Sequence, residues 1–392
     1  MQAKKYLAGS EEEFRLQKLI FGLAFLYFIF PAIVFIPIGD AGIKMTDFIA
    51  TIFLAIILLK NKLSFSTSLL CFCSWYAIKG FASLDPSNIF FGIRFFEYMI
   101  VIQGILLLNK HNLKVLILSL LWGIILISLV EITLMNFGIE LSAFINSRRW
   151  GQRLTGVFSG PFELGAICIL LIIYFRKIAP LFLLIPIILL TDARASILTL
   201  PFVIFIFRPL FLIPIIPVIA IYLLLFPSER LVELFLLKDT IFQYIQQIIS
   251  LFNSLIIDNS ETYRDIFFAR DGQINQLGGN DNLSILSRVF TYVAVFLSLN
   301  SPSAMLLGNY PGFYGVAIDS SFIRILGEAG IVGLLLIFLT FIQYSINYRA
   351  AILIIAFSVN AFFVDILFTS KSFVLLFVLL EIIKREKKAS SL

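Results

Sequence analysis

Residues Ser321–Tyr344 read SFIRILGEAGIVGLLLIFLTFIQY, and this stretch decides the class of fold. At a rise of ~1.5 Å per residue, a helix of this length crosses a hydrocarbon core of ~30 Å. Two charges sit in its first turns, Arg324 and Glu328. Each costs ~2.5–3.5 kcal/mol at mid-membrane on insertion scales, and less near the interface. Asp319 or Ser320 reads as the N-cap, after which Ser320, Arg324 and Glu328 stack on one side at i, i+4, i+8. An internal Arg324–Glu328 pair accounts for the two charges, and so does a site facing a substrate. Gly327, Gly330 and Gly333 allow close helix packing under either reading.

The rest of the chain has the same character. Hydrophobic residues make up 60% and charged residues 14% of the 392, and the mean hydropathy is +1.00. Such a chain belongs in a bilayer rather than around a soluble core. Apolar runs separated by polar breaks give twelve candidate spans: 19–38, 45–59, 67–84, 89–108, 115–135, 157–175, 178–190, 197–207, 210–226, 321–344, 350–367 and 372–383. The seventh, eighth and twelfth are short, so the expectation is an all-α integral membrane bundle of about twelve (ten to twelve) helices. The long interruption between Phe226 and Ser321 far exceeds an ordinary connection. The expected organisation is therefore 1–226 as spans one to nine, 227–319 as a large periplasmic loop with amphipathic helices, and 320–392 as the last three spans and a basic tail.

Orientation follows from Lys and Arg beside short loops. With both termini cytoplasmic, the inner side holds Lys60, Lys62, Lys110, Lys114, Arg176, Lys177, Arg208, Arg349 and the tail from Lys384 to Lys388. That leaves Arg148, Arg149, Arg153, Arg194, Arg230, Lys238, Arg264, Arg270, Arg288 and Arg324 outside. These outer positives are mostly Arg, the side chain suited to bidentate phosphate or carboxylate recognition. An outward arginine cluster points to an anion: a phosphate, a pyrophosphate or an acidic sugar. The polar first eighteen residues and the long first span, with no small-residue cleavage site, read as a retained anchor. Cys71, Cys73 and Cys168 all fall within spans and form no outward disulfide framework. The single histidine, His111, lies in a short cytoplasmic loop, which excludes a His-based metal site or a Ser-His triad on the outer face.

Three outward segments carry chemistry-bearing residues. The first, Arg148 to Gly165, holds three arginines in six residues and then Gly156, Gly160 and Pro161 at a helix start, a ready anion site. Glu163 falls in the first turn of that helix. Lipid headgroups on the arginines, with Glu163 favoured by the helix dipole, explain the same residues. The second is Thr191-Asp192-Ala193-Arg194-Ala195-Ser196, where Asp and Arg either pair to cap the turn or face a cavity at membrane depth. The third runs from Ser287-Arg288 through Leu306 to Gly315 and ends in the stretch around Asp319 and Arg324. Before it, 229–258 has the spacing of an amphipathic helix at the outer interface, and 259–282 reads as linker.

As an ordered set, RLTGVFSGPFELG, LLTDARAS, the Ser287-Arg288 pair, LLGNYPGF and DSSFIRILGEAGIVGLL resemble the O-antigen polymerase and ligase superfamily. The resemblance covers about residues 148–336; the first five spans match only in being hydrophobic. Ligases of the superfamily typically carry His where this chain has Asp319, which favours a Wzy-type polymerase. Where many relatives have Asn after the Pro of the first segment, this chain has Phe162-Glu163.

The resemblance implies metal-independent glycosyl transfer outside the inner (cytoplasmic) membrane of a bacterium, with no cofactor and no nucleic acid. The donor is a glycan on undecaprenyl pyrophosphate and the acceptor is the terminal sugar of another lipid-linked repeat unit. Membrane lipids and a chain-length regulator protein are the implied partners. A departing pyrophosphate needs positive charge, which Arg supplies without a metal. On this reading Arg149, Arg153, Arg194 and Arg288 bind pyrophosphate, with Arg324 a further candidate. Asp319, then Glu163, then Glu328 are the candidates to orient or deprotonate the acceptor hydroxyl. Trp150, Tyr310, Phe313 and Tyr314 are candidates for sugar stacking or for interface anchoring. An O-antigen ligase acting on a lipid A core and a lipid-linked oligosaccharide flippase are the competing readings. The flippase would show duplicated halves, and the chain has no internal repeat. A non-enzymatic scaffold has no need of buried Arg and Glu.

Overall fold

In a computed structural model, the chain is described over residues 2–31, 34–38, 41–61, 66–139, 153–175, 178–207, 245–247, 249–250, 283–314 and 320–390. The helices in chain order are α1 (Gln2–Ile29), α2 (Met45–Lys60), α3 (Thr67–Ala82), α4 (Pro86–Leu106), α5 (Lys110–Asn136), α6 (Pro161–Phe175) and α7 (Ile178–Leu190). They continue with α8 (Arg194–Phe207), α9 (Leu283–Ser298), α10 (Pro302–Leu307), α11 (Ser321–Tyr344), α12 (Tyr348–Phe363) and α13 (Ser370–Ser390). Among the described residues α4, α5 and α11 are long and apolar enough to cross a membrane, and several shorter apolar helices accompany them. The chain is an all-α membrane protein with, among the described residues, one small hairpin. The ninth run, 210–226, the linker 259–282 and most of 229–258 lie outside the described residues; 245–247 and 249–250 are helical.

Local sequence sets the helix starts. Asp85 caps α4 by accepting from Ser87 N at 2.8 Å, with Pro86 at the first helical position. Asn109 caps α5 through Asn112 N at 2.8 Å, and Asn347 caps α12 through Ala350 N at 2.9 Å. Ser320, rather than Asp319, is the residue that caps α11.

The first span departs from expectation. The apolar run 19–38 does not continue as helix; α1 ends at Ile29, and Val34–Ile38 (β1) pairs antiparallel with Ala41–Lys44 (β2). Pro31 cannot donate into a continuing helix, and Val34, Ile36 and Ile38 are β-branched. The hairpin hands the chain to α2, whose Asp47 accepts from Lys44 N at 2.8 Å. Within the long interruption lie α9 and α10.

Helix α13 is the centre of the bundle. Every residue from Phe373 to Leu380 is buried, as a helix apolar round its whole circumference must be. It packs on α4, α6 and α12. Helices α3 and α4 cross closely at Gly80 and Gly92, where a Cβ on Gly80 would meet Asn88 O at 2.8 Å.

Polar contacts gather at two opposite ends. At one, Lys114 and Arg349 meet Glu386, and Arg385 donates to Leu106 O at 3.0 Å. At the other lie residues 131, 153–163, 191–192, 308–314, 320–328 and 365–372. Lys114 and Glu131, both on α5, are therefore separated by ~25 Å along the helix axis. We term these the basic rim and the segment rim.

Candidate functional site

The segment rim is built on a broken helix. Gly330 interrupts α11 with φ 69° and ψ −169°, a conformation open essentially to Gly alone. A Cβ there would also collide with the backbone of Leu306 and Gly308, so α10 docks directly on the break. The break leaves carbonyls without partners in their own helix, and α3 and the residues after α10 supply donors. Trp75 Nε1 donates to Ala329 O at 2.9 Å, and Asn309 N donates to Gly327 O at 2.8 Å. The spacing of glycines in this helix predicts close packing; the structure adds that Gly330 is the break itself.

On the short half-helix before that break, Arg324 and Glu328 form the i, i+4 pair, Nε to Oε1 at 3.0 Å, with side chains 3% and 0% exposed. Arg324 Nη1 also reaches Asp365 Oδ2 at 2.6 Å, and its guanidinium lies 4.1 Å from the Phe368 ring centroid. Glu328 accepts from Gly312 N at 2.9 Å and from the Tyr76 hydroxyl at 3.0 Å. A buried charge needs such saturation to be tolerated. The half-helix is thereby tied to α3, to the Tyr310–Tyr314 turn and to the segment after α12.

Glu163 plays a comparable part at the start of α6. Its Oε2 accepts from Ser159 N and Ser159 Oγ, both at 2.8 Å, and its Oε1 accepts from Ser372 N at 3.2 Å. One residue earlier, the buried Lys371 donates to Phe30 O at 2.6 Å and Val157 O at 2.8 Å. Leu367 N in turn donates to Ser321 Oγ at 3.0 Å. The stretch 365–372 thus joins the Arg324 cluster to the Val157–Glu163 turn.

Beneath the first segment sits Glu131 of α5, only 1% exposed. Its Oε2 accepts from Gly156 N at 2.7 Å and Thr155 N at 3.0 Å, while Thr155 Oγ1 donates to Oε1 at 2.8 Å. Gly156 has φ 57°, which lets two successive amides turn toward one carboxylate. Arg153 then crosses to the second segment. Its Nε donates to Thr191 O at 3.0 Å and its Nη2 to Asp192 O at 2.9 Å, with Asp192 Oδ2 3.8 Å away. Those carbonyls belong to the C-terminal end of α7, a favourable place for a cation.

The sequence candidates distribute as follows. Arg153, Glu163, Arg324 and Glu328 come together at this rim, with Arg153 the most exposed at 30%. Arg194 opens α8 and Arg288 lies within α9, but their side chains are outside the described residues, as are Arg149, Trp150 and Asp319 altogether. Tyr314 is buried, its hydroxyl bonded to Ser298 Oγ and, at 2.8 Å, to Asn309 Nδ2. Tyr310 and Phe313 pack edge to face with centroids 4.9 Å apart.

Sequence reasoning passed over Glu131, Lys371, Asp365 and the Arg94 cluster. Arg94 of α4 meets Asp47 at 2.7 Å and Glu97 at 3.0 Å, and it also donates to Gly42 O in the hairpin. The signal was present: Glu131 is the one charge in run 115–135, and Arg94 and Glu97 are the charges in run 89–108. A lone ionisable residue in a span calls for a partner. No family model, curated protein or solved structure matches the chain.

Proposed function

We propose that this protein is a membrane glycosyltransferase of the O-antigen polymerase type, extending a glycan carried on undecaprenyl pyrophosphate at the segment rim. One observation carries the reading. The motif-bearing segments 153–163, 191–194, 308–314 and 320–328, drawn from distant parts of the sequence, are joined at one end of the bundle through Arg153, Lys371, Asp365 and Glu328. Under the Lys and Arg rule the opposite, basic rim is cytoplasmic, which makes the segment rim periplasmic in a bundle of about twelve spans. Residues 227–319 then form the large periplasmic loop above it.

In this reaction the acceptor hydroxyl oxygen attacks the anomeric carbon of the donor glycan. The bond from that carbon to the pyrophosphate oxygen breaks, and undecaprenyl pyrophosphate leaves with the bonding pair. Asp319 takes or orients the hydroxyl proton. Arg149, Arg153, Arg194 and Arg288 stabilise the leaving pyrophosphate. Glu163, Arg324 and Glu328 act as positioning residues, because each is buried and already bonded to the segments it holds.

The test is the banding pattern of surface polysaccharide after deleting the gene and complementing with wild type, Arg153→Ala or Arg288→Ala. The proposal expects a lipid core bearing one repeat unit in the deletion strain, a ladder with wild type, and a weakened or absent ladder with either variant. Charge-assisted hydrogen bonds are worth ~1.5–3 kcal/mol each, so losing one slows transfer by about one to two orders of magnitude. Loss of every repeat would point to ligation or flipping, and an unchanged ladder would remove the polymerase reading for that polysaccharide.

A further inference from the structure

At the basic rim a cleft of about 480 Å³ opens between α5, α6, α7 and the ends of α12 and α13. Its walls are apolar, among them Leu118, Leu121, Trp122 and Leu183. Leu118, Trp122 and Leu183 are 45%, 51% and 40% exposed, and they sit on helices of a membrane protein, so this wall faces acyl chains. The cleft mouth is charged. Lys114 and Arg349 line it together with a single carboxylate, Glu386, which lies 3.5 Å from Lys114 Nζ and 3.2 Å from Arg349 Nη1. Among the described residues, two cations against one anion leave a net positive charge at the top of an apolar slot. Arg349 Nη2 donates to Tyr174 O, which holds the guanidinium beside α6. Its guanidinium also lies 4.8 Å from the Tyr174 ring centroid, and its Nε is buried with no hydrogen-bond partner among the described residues.

We infer that this cleft binds an anionic phospholipid of the surrounding membrane, with the phosphate at Lys114 and Arg349 and an acyl chain along Leu118, Trp122 and Leu183. Charge complementarity selects the headgroup, and the lipid-facing apolar wall selects a lipid over a free anion. Basic pockets between spans on the cytoplasmic side take lipid headgroups in this way. The site lies at the far end of the bundle from the segment rim, so it stands whether or not that rim transfers glycans.

Trp122 is a built-in reporter. The full chain is reconstituted in vesicles of dibrominated phosphatidylglycerol mixed with phosphatidylcholine, or of the converse mixture. Quenching of Trp122 is taken as the difference between wild type and Trp122→Phe, which removes the signal of Trp75 and Trp150. The expected result is a preference for phosphatidylglycerol of about fivefold, the selectivity that one uncompensated basic side chain confers. Lys114→Gln is the decisive variant, because its side chain is 53% exposed and its removal leaves packing intact. It should lower that preference at least twofold, to ~2.5-fold or less. Equal quenching by the two lipids overturns the inference, as does a preference unchanged in Lys114→Gln. Inorganic phosphate, matched in ionic strength by chloride, should not displace the lipid; if it abolishes the preference, the site binds a free anion and the lipid assignment fails.

Discussion

At the basic rim Lys114, Arg349 and Glu386 have side chains 53%, 22% and 28% exposed, whereas at the segment rim Arg324 and Glu328 are 3% and 0% exposed. The first group pairs with itself beside solvent. Carboxylates of the second group also accept from backbone amides: Glu131 from Thr155 and Gly156, Glu163 from Ser159 and Ser372, Glu328 from Gly312. A carboxylate that accepts from main-chain N–H groups fixes the path of a segment, not only the rotamer of another side chain. The segment rim is thus a set of irregular loops nailed to helices by buried acids. Irregular backbone at membrane depth survives only where it is satisfied in this manner or lines a polar space.

The contrast orders the effect of substitutions, read by unfolding in mixed SDS micelles. Arg324→Ala should cost most, about 3–5 kcal/mol, because the buried Glu328 and the half-buried Asp365 lose their shared cation. Gly330→Ala should follow, since its backbone conformation alone costs a non-glycine residue ~1–3 kcal/mol and its Cβ meets Leu306. Glu131→Gln should cost about 1–3 kcal/mol, because an amide cannot accept from all the Thr155 and Gly156 donors at once. Its effect should be local, seen as faster amide exchange at Thr155 and Gly156 than at Ile323 and Arg324. Lys114→Gln should cost under ~1 kcal/mol, as exposed pairs do. If Lys114→Gln proved as damaging as Glu131→Gln, the distinction between the rims would collapse.

Much of this fold could be read from the chain. The runs 178–190 and 321–344 are helices with those bounds, because polar caps and breaks flank clean apolar stretches. The hairpin was not read, since hydropathy does not separate a β-branched apolar run from the end of a span; Pro31 and Pro37 within the run were the warnings. Charged partners inside spans were harder still. Nothing local says that Lys371 reaches Val157 O, or that Trp75 of α3 covers the carbonyl freed 254 residues later at Ala329. Such pairings are decided by which helices become neighbours, and that is set by the whole bundle.

The central claim is best tested by reconstituting the purified chain in liposomes with undecaprenyl-pyrophosphate-linked repeat units and a metal chelator, then analysing the glycans by mass. The account predicts lipid-linked glycans of two and more repeats together with free undecaprenyl pyrophosphate, both reduced in Arg153→Ala. Repeat units that remain single, or that only cross the bilayer unchanged, would contradict it.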